Sequence, residues 1–254
     1  MIPKVIHISW LDKRILFTSQ NPLALNGIAQ MKRINPEYVI QISDDNDVND
    51  YIQSCIPNDD WLLLKNRHIV EKIDLWRLLK IYNEGGIYTD IDRLCNIPFD
   101  DIIKRTDVCI LPTFFTTDFS QDIILSEKGQ AIHKKAIELN LSRRRDGCKD
   151  VITLGPLTYF HAITMTITGK QLDRFPNEYD WTKLMKAVDD MKGYRAVWER
   201  PIADVRSHIT VMYQYNNDYQ IGDGGTKNDL YAASKTRHWA EEGSLVFAEK
   251  KYGR

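Results

Sequence analysis

The chain has 254 residues, 43% of them hydrophobic and 27% charged, a globular composition that excludes a disordered tail, a collagen-like repeat and a coiled coil. Lys+Arg number 34 and Asp+Glu 35, for a formal net charge of -1, so bulk electrostatic binding of nucleic acid is not expected. At roughly 100–200 residues per domain, the length allows one large α/β domain or two small ones.

In chain order, residues 5–10 read as a first strand. Residues 23–33 read as a helix, broken at Asn35-Pro36 because the residue before proline avoids helical backbone. Residues 38–43 (YVIQIS) read as a second strand, followed by the acidic turn Asp44-Asp45-Asn46-Asp47. Helical patterns follow at 48–55 and 68–83, with a second acidic turn at Asn58-Asp59-Asp60. Glu84-Gly85-Gly86 stops the longer helix. Strands then begin at Ile87-Tyr88-Thr89 and cover 108–111. Strand and helix alternating in this way predict an α/β sheet with crossover helices. Beyond residue 115 the pattern is less regular, with a late strand at 208–215 and a loop at 222–225.

The longest unbroken apolar runs, such as Trp61-Leu62-Leu63-Leu64, fall well short of the ~20 residues of a transmembrane helix. Lys4 and His7 interrupt the N-terminal apolar stretch, so it does not read as a signal peptide. Cys55, Cys95, Cys109 and Cys148 form no C-x-x-C pair, which argues against a zinc ribbon or a thioredoxin-like site. Isolated thiols suit a reducing cytosol.

The informative segment runs from residue 73 to 92, I-D-L-W-R-L-L-K-I-Y-N-E-G-G-I-Y-T-D-I-D. Its helix is apolar on nearly every side and should be buried. Asp74 and Arg77 lie three apart on one face, in a sector shared with Val70, Ile73 and Ile81. Buried charges need partners. Either the two pair only with each other and specify packing, or together they bind a polar ligand. After the glycine stop, Asp90 and Asp92 are expected to project from one side at the end of a strand, since residues i and i+2 share a face. Ligands of open α/β sheets bind at the carboxyl ends of strands. Two converging carboxylates suit a hard divalent cation such as Mg2+ or Mn2+. A D-x-D alone is a common solvated turn; its neighbours give it meaning.

This segment resembles the signature of glycosyltransferase family 32, which includes mannosyltransferases and bacterial polysaccharide sugar transferases. It is also similar, more distantly, to the glucosyltransferase domains of clostridial toxins. Ile2-Pro3-Lys4-Val5-Ile6-His7-Ile8-Ser9-Trp10 is similar to the family's opening strand. Leu154-Gly155-Pro156 stands where the family has Thr-Gly-Pro, and His238 stands where it has a C-terminal histidine; Ser244 is followed by Leu245 in place of tryptophan.

The resemblance implies one GT-A domain over 1–254, with a mostly parallel central sheet flanked by helices. Its nucleotide-sugar half would cover 1–112 and its acceptor half 113–254. It further implies a hexosyltransferase acting with retention of configuration, with Mn2+ or Mg2+ as cofactor and a nucleotide-diphosphate sugar as donor, UDP favoured over GDP-mannose. The acceptor would be a glycan or another hydroxyl group, as in polysaccharide synthesis. Mapped onto this sequence, Asp92 is the direct metal ligand. Asp90 touches the metal through water or holds the ribose and donor sugar. Asp74 and Arg77 bind the donor sugar hydroxyls. Trp10 stacks on the base, Tyr88 supports the pocket, and His238 closes the site as a metal or diphosphate contact.

Elsewhere the bland readings lead. Arg143-Arg144-Arg145 reads as a solvated loop, with contact to an anionic acceptor or membrane surface as the alternative. His7 reads as a satisfied core histidine. Gly222-Asp223-Gly224-Gly225 lacks the Lys-Ser/Thr of a P-loop. Two rival functions share the carboxylate pair, an inactive sugar-nucleotide-binding module and a metal-dependent phosphoryl-transfer enzyme. A bacterial or viral-host cytosol is the expected location.

Overall fold

The computed structural model of the chain describes residues 1–14, 22–95, 97–114, 118–172, 178–199 and 212–214. Strand β1 (Val5–Ser9) is followed by helix α1 (Pro22–Ile34) and strand β2 (Val39–Ser43). β2 lies parallel to β1, with Val5 opposite Val39 and Ser9 opposite Ser43. The acidic run after β2 is a helix start. Asp44 accepts from the backbone N–H groups of Asn46 and Asp47, and Asp47 accepts from that of Asp44, closing a capping box on α2 (Asp45–Cys55).

The second acidic run departs from expectation. Asn58-Asp59-Asp60 opens a short helix, α3 (Asn58–Leu64), and is not a surface turn. Asp59 and Asp60 sit in its first turn, where carboxylates complement the helix dipole. Asp60 is buried and paired with Arg145 at 2.6 Å.

The long helix α4 (Ile69–Glu84) buries Leu75, Trp76, Leu78 and Ile81, as its pattern requires. It stops at Gly85 (φ 72), and Gly86 (φ 101) leads into β3 (Gly86–Thr89). Both glycines are needed twice over. Each occupies left-handed backbone, and an added Cβ would lie 2.7 Å from the Lys128 nitrogen or the Val5 carbonyl oxygen respectively. β3 then enters the sheet beside β1, parallel, with His7 opposite Tyr88.

The chain continues through β4 (Arg93–Cys95), α5 (Phe99–Ile102), β5 (Cys109–Phe114), β6 (Asp118–Phe119), β7 (Ile123–Ser126), α6 (Ala131–Arg145), α7 (Val151–Leu154), α8 (Pro156–Thr168), α9 (Glu178–Asp189), β8 (Tyr194–Glu199) and β9 (Met212–Gln214). The main sheet runs β2-β1-β3-β7-β5, with β6 and β8 also paired to β5. β1, β2, β3, β5 and β8 point one way, and β6 and β7 point the other. The sheet is thus mostly parallel, as expected. β4 and β9 form a separate antiparallel pair. β9 is the described part of the expected 208–215 strand; the rest of that strand and the loop at 222–225 lie outside the described residues.

Alternate residues of the inner strands feed two cores. Tyr88, Cys109, Leu111 and Ile124 join one cluster with Trp76, Leu79, Phe160 and Trp181. Ile87, Ile110, Ile123 and Leu125 join another with Ile28, Met31 and Phe99. The sheet is therefore covered on both faces, the α/β architecture its strands predict. Val151–Thr168 is long and apolar enough by composition to cross a membrane, but 67% of it is buried in the protein and Gly155 interrupts it. Its aromatic residues Tyr159 and Phe160 are core.

Candidate functional site

The order β2-β1-β3 means that the chain leaves β1 to one side and returns on the other. Such a reversal opens a crevice at the carboxyl ends of the two inner strands. Trp10 follows the last residue of β1, and Asp90 follows the last of β3. With His7 opposite Tyr88, Ser9 is level with Asp90, so the tryptophan and the D-x-D leave the sheet side by side. Trp10 is half-buried against the second core, and its backbone N–H donates to Ser43 at 2.9 Å.

The D-x-D itself corrects the strand expectation. β3 ends at Thr89, and the Arg93 N–H donates to the Asp90 carbonyl at 3.1 Å. Asp90-Ile91-Asp92-Arg93 is therefore a β-turn. The two carboxylates, close enough for Asp92 to influence Asp90, are related by this turn and not by strand alternation. Asp92 is buried, while a third of the Asp90 side chain is exposed (33%).

Helix α4 supplies the next layer. Arg77 Nη2 pairs with Asp74 Oδ1 at 2.9 Å, so the two do bind each other. The arginine also reaches further. Its Nη1 donates to the Gln121 carbonyl at 2.9 Å and lies 3.5 Å from Asp90 Oδ1. Its guanidinium sits 4.6 Å from the Tyr88 ring centroid, and the Tyr88 hydroxyl donates to Asp90. Asp74, Arg77, Tyr88 and Asp90 thus form one connected group.

Sequence reasoning missed the residues that complete it. Ile110 faces Leu125, but Thr113 faces Phe119, so the β6–β7 side carries three more residues than β5 over the same span. The excess begins past Ser120, whose N–H still donates to the Pro112 carbonyl at 2.8 Å, and makes Gln121-Asp122 a bulge, a feature common beside active sites. The Gln121 amide donates to Asp74 Oδ1 at 3.2 Å. The Asp122 carbonyl accepts from the Asp90 N–H at 2.9 Å. Its carboxylate pairs with Arg93 and accepts from the Ser120 hydroxyl. The only local signal was a polar triplet between apolar residues, which does not announce a bulge.

Electrostatics follow from this crowding. Burial, together with the charges of Asp92 and Asp122, pushes Asp90 up to about 6 against the pull of Arg77. Burial also raises Asp74, with Arg77 opposing. Burial works against the Arg77 charge, but Tyr88, Asp90 and Asp74 outweigh it and raise its pKa. Burial likewise opposes ionisation of Asp122, yet Arg93 and Ser120 prevail and hold it low. Asp74, Asp90, Asp92 and Asp122 face Arg77 and Arg93, a formal surplus of two negative charges.

That surplus and the all-oxygen chemistry of Asp90 and Asp92 fit a hard divalent cation. Among the described residues no group of three or more His, Cys, Asp or Glu could hold a metal. One or two carboxylates, completed by ligand phosphates, are the set Mg2+ ordinarily takes. His238, the expected closing residue, lies outside the described residues.

The other sequence candidates resolve as structure. His7 is a buried core histidine whose Nε2–H donates to the Gly85 carbonyl at 2.9 Å, and burial lowers its pKa. Arg143-Arg144-Arg145 is neither a solvated loop nor a free anion-binding patch. It is the last turn of α6, with Arg144 buried, Arg143 partly buried and Arg145 exposed, and each guanidinium has a partner within the protein. Arg145 holds Asp60, Arg144 holds Glu71 at 3.1 Å, and Arg143 donates to the Thr153 carbonyl at 2.9 Å.

Residues 24–109 match the family model "Glycosyltransferase sugar-binding region containing DXD motif". The matched span is roughly a third of the chain and contains α4, β3 and the D-x-D turn, and it supports sugar transfer as the chemistry of this region. A solved structure named "PaToxG Glycosyltransferase" is similar at 21% identity, covering 66% of this chain and 70% of that one, with a TM-score of 0.46. No curated protein matches.

Proposed function

We propose that this protein is a metal-dependent, retaining glycosyltransferase of GT-A type, moving a hexose from a nucleotide-diphosphate sugar to a hydroxyl acceptor. The observation that carries the reading is the continuous contact from Asp74 through Arg77 to Asp90 at the carboxyl end of β3, beside Trp10. The glycosyltransferase family match over 24–109 supports it, the resemblance to family 32 supports retention, and the more distant resemblance to toxin glucosyltransferase domains supports a UDP-sugar.

In this reading Trp10 stacks on the base, a contact worth roughly 1–3 kcal/mol. Asp74 and Arg77 hold the sugar hydroxyls. Their mutual ion pair fixes both side chains before the donor arrives, so little ordering is needed at the reacting centre. Asp90 and Asp92 would hold the cation, which supplies Lewis-acid stabilisation of the nucleoside diphosphate as it leaves. Arg77 adds a fixed positive charge on the side where negative charge develops. Tyr88 orients Asp90 by its hydrogen bond. His238 would close the site from the C-terminal segment.

The test is a thermal-shift screen of UDP-, GDP- and CMP-sugars with and without Mn2+, followed by assay of sugar release. A ligand that binds the native state alone raises apparent stability by mass action. Metal-dependent stabilisation and turnover of one sugar nucleotide are expected. Binding without turnover would favour an inactive module. Turnover of nucleotides lacking a sugar would favour phosphoryl transfer.

A further inference from the structure

The Leu154-Gly155-Pro156 turn, far from the D-x-D in sequence, abuts the donor-sugar pair. A Cβ on Gly155 would overlap Asp74 Oδ2 and lie 2.9 Å from Asp74 Cγ and 3.0 Å from Gln121 Nε2. Gly155 has φ -97 and ψ -100, outside the left-handed region, so no positive φ calls for glycine here. The reason is space.

What holds this turn is a buried lattice from the end of α6. Arg143 Nη1 donates to the Thr153 carbonyl at 2.9 Å and to Thr158 Oγ1 at 2.6 Å. The Asn140 amide donates to the Leu154 carbonyl at 2.7 Å. Arg144 Nε donates to Asn140 Oδ1 at 2.8 Å, while its other nitrogens reach the Glu71 carboxylate and carbonyl, each at 3.1 Å. Glu71 lies on α4, one turn before Asp74. The lattice therefore grips both sides of the contact, the helix carrying Asp74 and the turn pressed against it. Asn140, Arg144, Glu71 and Asp74 are all buried, so the bonds among Asn140, Arg144, Glu71 and the Leu154 carbonyl are shielded from water, while those of Arg143 are part-buried.

We propose that Asn140, Arg143 and Arg144 are positioning residues for donor recognition, clamping Gly155 against the Asp74 carboxylate and so fixing the Asp74–Arg77 pair. This rests on the reading of that pair as the sugar-hydroxyl contact. Misplacing such a group by about an ångström costs up to ~100-fold.

The proposal separates sugar from nucleotide. In Gly155→Ala, Mn2+-dependent turnover of the sugar nucleotide identified by the screen should fall roughly 10- to 100-fold. Affinity for the same nucleoside diphosphate with Mn2+, lacking the sugar, should stay within about twofold. Arg144→Lys, which cannot make the forked contact, should show the same split more weakly. Combining Gly155→Ala with Asp74→Asn should give little further loss, because the first change acts through the second residue. Equal loss of sugar nucleotide and free nucleotide, or full additivity with Asp74→Asn, overturns the proposal. Should Arg144→Lys fail to fold, Gly155→Ala and the double variant decide alone. If the wild-type protein turns over no sugar nucleotide at all, the underlying reading fails and takes this inference with it. Wild-type turnover with an unaffected Gly155→Ala sinks the inference alone.

Discussion

Helix α4 carries two buried ion pairs one turn apart, and they differ in kind. Glu71 is fully enclosed, held at 3.1 Å by Arg144, which is itself buried, and at 2.8 Å by Arg67, which is partly exposed. Asp74 and Arg77 pair just as closely, but their network runs on to Asp90, whose carboxylate reaches the surface. The first pair ties α4 to α6. The second ties α4 to an opening. Burial and pairing alone do not tell a charge that anchors two helices from one that can meet a ligand; what does is whether its contacts lead to the carboxyl ends of β1 and β3.

The sharpest way to break this comparison is at the open end. Asp92→Ala or Asp90→Ala should abolish transfer, a loss of at least roughly 100- to 1000-fold for charge stabilisation alone, with little change in melting temperature. Wild-type-like turnover in either variant would leave the open network without a function. At the closed end, Glu71→Ala strands a buried arginine and should cost about 3–5 kcal/mol of stability in urea denaturation. Nucleotide affinity of the folded fraction should be retained. A variant as stable as wild type would mean that the closed pair is not holding α4 to α6.

Two finer tests address the crevice itself. Trp10→Ala should weaken nucleoside diphosphate binding by roughly 1–3 kcal/mol while leaving kcat nearly unchanged, measured by titration and steady-state kinetics. Smallest is a pH effect. Because the Asp90 pKa is pushed up to about 6, kcat/KM should fall as pH drops through about 6, where protonation would remove the proposed cation contact. Asp122→Asn removes a repelling charge and frees Arg93, so the acid limb should move to lower pH. The sign for folding is opposite. A carboxylate with a raised native pKa stabilises the fold below about 4, its ordinary unfolded value, and that contribution is lost as pH rises through about 6. An acid limb unmoved by Asp122→Asn would exclude Asp90 as the group that titrates.

Local pattern alone determined a good deal of this protein. The alternation of strands with helices, the all-round apolar character of α4, the glycine stop and the core position of His7 were all legible. Each depends on periodicity or backbone sterics within a few residues. The resemblance of residues 73–92 to a known signature also directed attention to Asp74, Arg77, Asp90 and Asp92; the fold brings the first three into one network and leaves Asp92 buried in the adjoining turn. Tertiary structure alone decided the rest. Asp60 looked like a turn residue and Arg143–Arg145 like a solvated charge run, because their partners lie far off along the chain. The bulge at Gln121-Asp122 exists only through a mismatch of register between two strands, which no single segment records. Gly155 is glycine because another element's carboxylate occupies its Cβ position. Sequence specifies what a segment can form; which charges meet, and which are left facing the crevice, is set by packing between segments distant in the chain.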